Sequence, residues 1–218
     1  MKKSFLAVLL AIALVSPVFA AEKNMWVGGS FGYSSNNKDV DYSLGSVSTF
    51  SQTVWSIEPE FGWTIVDKWD IGLDFAYGEG QNVSSVYGFT IPVETYAPFD
   101  TGNEAKIMTI APFVRYYLAK VAGVDVILKG SIFYSKTDLT LGAIGNYDLA
   151  VNAYGISIAP IISYSINETW SIGARLNFAE LSFMHVETDD KYIKVKNDQF
   201  GFNLNDGSLI SVGFSYHF

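Results

Sequence analysis

The chain contains no cysteine, which excludes a disulfide scaffold, a zinc site built on thiolates and a lipidated cysteine behind a leader. Histidine is almost as scarce, with 2 in 218 residues, so candidates for acid–base catalysis are few. The chain has 14 basic against 22 acidic residues, and an acidic chain without basic clusters is a poor nucleic-acid binder. We therefore expect no cofactor, no bound metal and no nucleic-acid partner.

The chain also lacks a long apolar run beyond its first residues. The run from Phe5 to Val15 follows two lysines and precedes Val18 and Ala20, which suit the positions that a signal peptidase reads. We predict a signal peptide over residues 1–20, export through the Sec pathway and a mature domain over 21–218. The run is shorter than the roughly 20 residues of a membrane-spanning helix, so any membrane crossing has to use strands.

Alternation of apolar with small or polar residues is abundant. In segment 55–65 the odd positions hold Trp, Ile, Pro, Phe, Trp and Ile, whereas the even positions hold Ser, Glu, Glu, Gly and Thr. The last nine residues alternate in the same way and end in Phe218. Eight segments of this kind occur in the chain, and a period of two predicts strands whose two faces meet different surroundings.

The connections between these segments alternate in length. Short turns fall near Asp67, Ala122 and Asn167, whereas long polar segments lie around 35–51, 79–105, 137–151 and 184–206. An even number of strands with alternating short and long connections is typical of outer-membrane barrels. We predict an all-β fold, an eight-stranded antiparallel up-and-down transmembrane β-barrel.

The apolar faces are predicted to point outward. A soluble barrel of the lipocalin type would turn them inward, but an eight-stranded barrel has room inside for its own side chains or one small ligand. Aromatic residues beside the short turns are then expected to form a girdle at the headgroup level: Trp63, Trp69, Tyr116, Tyr164 and Trp170. We also expect bulges or bends at Pro59, Pro112 and Pro160, since proline cannot donate to a strand ladder.

Six charged residues fall on the inward face at about the same depth: Glu58, Glu60, Asp74, Arg115, Lys129 and Arg175. Three acids and three bases predict a charge-balanced network across the lumen, because a buried unpaired charge is costly. A plug that fills and rigidifies the barrel is the first interpretation. A gate that opens a small pore when the pairs exchange is the second.

Other sites find weaker support. His185 near Ser182 and Glu187 is the one place for a hydrolytic site, and we expect no enzyme there; His217 is interpreted as filling the lumen. Glu187, Asp189, Asp190 and Asp198 have no calcium-loop spacing, so a solvated loop of mixed charge is the preferred interpretation. Aromatic residues in the long segments are typical of binding surfaces, although packing on each other or anchoring at headgroups would explain them equally well.

Three segments repeat an outward proline four residues before an aromatic residue: Pro59–Trp63, Pro112–Tyr116 and Pro160–Tyr164. Taken with these repeats, the predicted cleavage after Ala20 and the alternating strands, the closing residues Phe214, Tyr216 and Phe218 resemble the small outer-membrane β-barrel family that includes OmpX and the OmpA transmembrane domain. The resemblance implies that these closing residues are the membrane insertion signal. It implies a monomer in the outer membrane of a Gram-negative bacterium, in contact with lipid and lipopolysaccharide and inserted by the barrel-assembly machinery. The expected function is a non-enzymatic structural or surface-interaction role, with a possible extracellular ligand on the loops. The alternative is a narrow gated channel.

Overall fold

The computed structural model of the chain describes residues 24–41, 47–81, 85–86, 89–90, 103–141, 147–176, 179–188, 194, 196–203 and 210–218. The predicted signal peptide lies outside the described residues, as do Asp189 and Asp190. No helix among the described residues is long and apolar enough to cross a membrane.

The described residues form strands throughout, with these bounds: β1 Met25–Asp41, β2 Val47–Val66, β3 Trp69–Gln81, β4 Ser85–Val86, β5 Phe89–Thr90, β6 Glu104–Val121, β7 Val124–Leu141, β8 Tyr147–Ser165, β9 Trp170–Leu176, β10 Glu180–Thr188, β11 Lys196–Asn203 and β12 Ile210–His217.

The strands close into one antiparallel barrel. Neighbouring strands pair in the order β1, β2, β3, β6, β7 and β8. The end of β8 next to its short turn, Ile161–Ser165, then pairs with β9. Strand β9 pairs with β12, and β12 pairs with β1, which completes the ring. Farther from the short turns, β8 pairs with β10 and β10 with β11. Counting β9 with β10 and β11 with β12 as single barrel strands, the described residues give eight. The predicted all-β, eight-stranded antiparallel barrel is therefore confirmed.

Two of the short turns need backbone conformations that differ from those of the strands. Val121 pairs with Val124, and the intervening Ala122 and Gly123 have φ of 51° and 83°. Positive φ at both central residues is the mark of a type I′ hairpin turn, which matches the twist of the flanking strands. Lys68, in the turn after β2, has φ of 71°.

The predicted extent of the long loops was wrong, because paired strands continue far into the predicted loop segments. β1 and β2 stay paired as far as Asp41 and Val47, and β7 and β8 as far as Leu141 and Tyr147. On β7 and β8 the alternation continues with its phase inverted, so that polar residues face outward and apolar ones inward. Leu139 and Val151 are fully buried, whereas the adjacent Asp138 is exposed.

The expected bulges at proline were also wrong for Pro59 and Pro112. The register of β2 with β3 is the same at Ile57 and at Glu60, although the pairs between them are missing. The ladder of β6 with β7 is interrupted in the same way beside Pro112. Proline removes a donor without adding a residue, so the bond is lost and the register is kept. The register shifts fall instead beside the short turns, at Thr64/Val66 and Tyr117/Ala119.

A larger irregularity separates β9 from β10 and lies opposite Pro160. Along β8 the partner changes from Arg175, opposite Ile161, to Leu181, opposite Ile158. The three residue steps from Ile158 to Ile161 on β8 therefore lie opposite the six residue steps from Arg175 to Leu181. An odd excess of three residues reverses the outward parity: even positions such as Trp170 are exposed on β9, and odd positions such as Phe183 on β10.

Candidate functional site: a charged and plugged lumen

The six predicted lumen charges lie together in one cluster. The Lys129 ammonium is 2.6 Å from Glu60 Oε1 and 3.9 Å from Glu58 Oε1, and it also pairs with Asp74. Arg115 pairs with Glu60 from the other side. Arg175 donates to Glu58 over 3.2 Å, so the whole set is connected through shared carboxylates.

A seventh member of this cluster was missed by the sequence analysis. Glu180 accepts a hydrogen bond from Arg175 over 3.3 Å, and it faces the lumen because the parity changes before β10. These seven residues are called the central cluster below. Lys129 has only 2% of its side chain exposed, and a lysine is buried to this extent only when its charge is paired.

Carboxylate oxygens of Glu58, Glu60 and Asp74 lie within 4.8 Å of one another, close enough to surround a cation. The Lys129 ammonium already contacts all three carboxylates. It therefore supplies the positive charge that a metal ion would otherwise provide at this place.

A second polar cluster lies between the central cluster and the short turns. Asp70 is fully buried, and its carboxylate accepts hydrogen bonds from Trp26 Nε1 at 3.1 Å, Thr64 Oγ1 at 2.7 Å and the Tyr117 hydroxyl at 2.9 Å. Three neutral donors satisfy a buried carboxylate without a direct ion pair. These four residues are called the Asp70 cluster.

Aromatic rings lie in the lumen between the two clusters. Arg115 stacks over Trp26, with its guanidinium carbon 4.1 Å from the ring centroid, and Phe113 lies 5.9 Å from Trp26 between centroids. Glycines opposite make room for them, since a Cβ on Gly62 would overlap Trp26 and one on Gly72 would overlap Phe113. Trp26, Phe113 and Arg115 therefore form an aromatic and cationic group, which is called the proposed plug below.

Away from the short turns, the described side chains of β6, β7, β8 and β10 include a buried apolar group that was not predicted from the sequence. Six residues pack there in one buried group: Ala105, Leu139, Leu149, Val151, Ala153 and Val186. Phe133 and Met184 pack against it from the side. The interior thus has an apolar layer above a charged layer. The inverted alternation of β7 and β8 was the signal that could have revealed it.

The outer surface carries a belt of exposed apolar side chains. At the end with the short turns the predicted girdle residues Trp63, Trp69, Tyr164 and Trp170 are each more than 40% exposed. The fifth girdle residue, Tyr116, lies 4.6 Å from Trp69 between ring centroids. At the opposite edge the belt ends at outward polar residues: Glu79, Lys106, Lys136, Asn152 and His185.

The closing strand β12 contributes both to the apolar belt and to the aromatic girdle beside the short turns. Val212 and Phe214 are exposed on the belt, and Tyr216 stacks between Trp170 and Phe218 at centroid distances of 4.9 and 5.3 Å. The Phe218 amide donates to the carbonyl of Met25 over 3.0 Å. The last residue is therefore held by the first barrel strand.

The candidate hydrolytic residues are separated by the barrel wall. Ser182 is buried on the inner face, whereas His185 lies on the outer face of the same strand, against Tyr154 and hydrogen-bonded to Asp198 over 2.5 Å. Glu187 lies beside it and pairs with Lys196 over 3.7 Å. His217 is at the other end of the barrel, 3.3 Å from the Ser171 hydroxyl.

Comparison with known proteins found similar solved structures alone. No protein-family model matches the chain, and no curated protein matches it. Among solved structures, surface protein A of Neisseria has 12% identity over 90% of this chain and 98% of that chain, with a TM-score of 0.47. Ail of Yersinia pestis has 6% identity over 90% and 99%, with a TM-score of 0.38. A major outer membrane protein of Thermus thermophilus has 11% identity over 89% and 98%, with a TM-score of 0.47.

Proposed function

We propose that the chain is an integral outer-membrane protein of a Gram-negative bacterium, with a plugged lumen and a non-enzymatic structural or surface-interaction role. The observation that carries the proposal is the pairing of an exposed apolar belt outside the barrel with buried charge inside it. Water would penalise the first and lipid would penalise an unpaired form of the second. A closed barrel satisfies both at once, since its strands pair with one another around a ring.

The height of the belt supports a membrane location. On β6 the outward apolar positions run from Met108 to Leu118, which is about 33 Å along the strand at about 3.3 Å per residue. A strand tilt of roughly 40° reduces this to about 25 Å, the height of the apolar band of outer-membrane barrels. The girdle residues beside the short turns are placed to anchor the inner headgroup level.

The arrangement of the lumen supports a closed barrel rather than a pore. The central cluster and the proposed plug occupy the cross-section, and an eight-stranded barrel leaves little further room. A catalytic role is disfavoured because Ser182 and His185 face opposite sides of the wall. The hairpin tips are then the part of the protein that would bind an extracellular ligand.

Further partners follow from the membrane location. We infer contact with outer-membrane lipid and lipopolysaccharide around the belt, and a monomer, because the described strands β1, β2, β3, β6, β7, β8, β9 and β12 pair in a ring within one chain. Phe214, Tyr216 and Phe218 would act as the insertion signal that the barrel-assembly machinery reads. The stacking of Tyr216 at the end with the short turns fits that role.

The alternative function is a narrow gated channel for ions or small solutes. It is favoured by one observation, the sharing of Glu58 and Glu60 between several cations, because shared pairs can exchange. Steady and reproducible openings of the wild-type protein in a planar bilayer would support the channel. We expect no such openings.

The membrane proposal is tested by migration on a detergent gel with and without boiling. A barrel stabilised by lipid-like surroundings is expected to migrate as a compact form before boiling and as a slower form after it. Membrane fractionation of the producing cells should place the protein with the outer membrane. A single band that boiling does not change, together with recovery in the soluble fraction, would contradict the proposal.

A further inference from the structure

A groove crosses the outer surface of the barrel within the apolar belt. It has a volume of about 760 Å³ and crosses β1, β2, β3, β6 and β7. Its course is marked by Val27, Pro59, Phe75, Ile110, Tyr134 and Lys136. These residues are called the outer groove.

Small side chains at one end explain why a convex wall has a groove. Gly29 pairs with Pro59 on the outward face, so the floor there consists of backbone and a compact ring. Farther along, Phe75 pairs with Ile110 and Ile110 with Tyr134, which places the row along the hydrogen-bonding direction. Four spacings of about 4.8 Å between five strands give a length of about 19 Å.

The two ends of the outer groove differ in polarity. Val27 lies near the short turns in the apolar belt, whereas Lys136 lies at the polar edge of the belt. The Lys136 ammonium is 3.1 Å from Asp138, and half of the lysine side chain is exposed, 48%. The neighbouring Tyr134 hydroxyl donates to Asn152 over 2.9 Å.

The rim around Lys136 is balanced in charge. Asp138 lies directly opposite Lys106 across the β6–β7 ladder, and Lys106 lies opposite Glu79 across the β3–β6 ladder. Two lysines therefore face two carboxylates. If an anion takes Lys136, Lys106 remains beside Asp138 to hold that carboxylate.

We infer that the part of the outer groove from Ile110 to Lys136 binds one acyl chain of a phosphorylated glycolipid of the outer leaflet, with the lipid phosphate on Lys136. The inference rests on the membrane location proposed above, since it is the bilayer that delivers such a lipid. One leaflet contributes about half of a hydrocarbon core about 30 Å thick, so the acyl chain occupies this part rather than the whole groove of about 19 Å. A cation at the water end of an apolar slot selects a lipid with an anionic headgroup.

The test measures lipid retained by the purified, refolded barrel with native mass spectrometry. The probes are lipid A carrying its phosphates and the same lipid with the phosphates removed. Ile110→Trp fills the groove, and Ile156→Trp is its control because Ile156 is a lipid-facing residue on β8 outside the groove. Lys136→Gln removes the cation, and Lys120→Gln is its control because Lys120 is an exposed lysine beside a short turn.

We expect one phosphorylated lipid per wild-type barrel. Ile110→Trp should weaken its retention about tenfold, which corresponds to about 1.4 kcal/mol. Lys136→Gln should weaken retention of the phosphorylated lipid about two-fold to five-fold and leave the phosphate-free lipid unchanged, as for an exposed ion pair. Neither control should alter retention.

Equal retention by Ile110→Trp and Ile156→Trp, or equal binding of the two probes by the wild type, would overturn the inference. Each preparation is also run on a detergent gel with and without boiling. If the compact form is present and the lipid results are negative, the groove assignment fails and the membrane proposal stands. If the wild type lacks the compact form, the membrane proposal itself fails.

Discussion

At the scale of single residues, the central cluster depends on carboxylates that serve two cations each. Glu60 accepts from Arg115 and Lys129, and Glu58 pairs with Arg175 and Lys129. Breaking a buried pair by removing one partner leaves a charge without compensation, which is far more costly than removing both. Removing any one member should therefore weaken the ion pairs that the remaining members form.

This coupling predicts that Arg115→Met lowers the free energy of unfolding by about 3–5 kcal/mol, and that the double variant Arg115→Met/Glu60→Gln recovers part of the loss. The contact of Arg115 with Trp26 is lost in both variants, so it does not affect the comparison. The measurement is a urea titration in lipid vesicles followed by tryptophan fluorescence. Lys136→Met, which breaks an exposed pair, is the control and should change stability by less than about 1 kcal/mol. Strictly additive effects of the two substitutions would contradict the pairing.

The six central charges could be predicted from the sequence because each lies on a strand whose parity is fixed by exposed neighbours on the belt. Glu180 could not, since the three extra residues between β9 and β10 reverse the parity and no turn signal marks them. The role of Asp70 could not be predicted either. Its donors Trp26, Thr64 and Tyr117 come from three strands, and only the closed register brings them together.

At the scale of elements, the backbone conformation of the short turns limits the stability of the hairpins. Ala122 has φ of 51°, a left-handed conformation that costs a residue with a Cβ about 1–2 kcal/mol. Asparagine tolerates this region and is favoured before glycine in type I′ turns. The sequence located this turn correctly, but its Ala-Gly pair gave no sign of the turn type.

We predict that Ala122→Asn raises the free energy of unfolding by about 0.5–1 kcal/mol, whereas Ala122→Val lowers it because a β-branched side chain is strongly disfavoured at positive φ. The same urea titration measures both. Ala119→Asn, on the neighbouring strand β6, is the control and should bring no gain. A stabilising Ala122→Val would show that the turn conformation is not the one described.

The strands also show why their upper parts were misassigned. Alternation on β7 and β8 persists beyond Tyr134 and Tyr154, but the apolar set moves from the outer to the inner face. A segment rich in Asp, Asn, Thr and Gly resembles a loop in composition. The inverted phase marks the level at which lipid gives way to water.

At the scale of the whole molecule, the proposed plug and the two polar clusters would determine whether the barrel conducts. Five carboxylates in these clusters, Glu58, Glu60, Asp70, Asp74 and Glu180, face three cations, Arg115, Lys129 and Arg175. The sequence predicted three of each. The interior is therefore acidic rather than balanced, and any pathway opened through it should favour cations.

We predict that the double variant Trp26→Ala/Phe113→Ala shows steady, cation-selective openings in a planar bilayer, whereas the wild type stays closed. Removing both rings takes away the aromatic part of the proposed plug while leaving the carboxylates in place. Phe133→Ala, which loosens only the apolar layer above, is the control and should stay closed. Anion-selective openings of the double variant would contradict the charge assignment, and a closed double variant would contradict the proposed plug.

The paired hairpins that continue past the belt also determine which part of the protein an approaching particle meets first at the cell surface. From Tyr33 to Asp41 the β1 ladder with β2 continues for eight further residues, or about 26 Å along the strand at about 3.3 Å per residue. Any particle that approaches the membrane from outside would reach Asp41 and Val47, the last described pair of this hairpin, before it reaches lipid headgroups. Changes at that tip should therefore alter the first collision with a partner, and with it the rate of association, more than the lifetime of the complex.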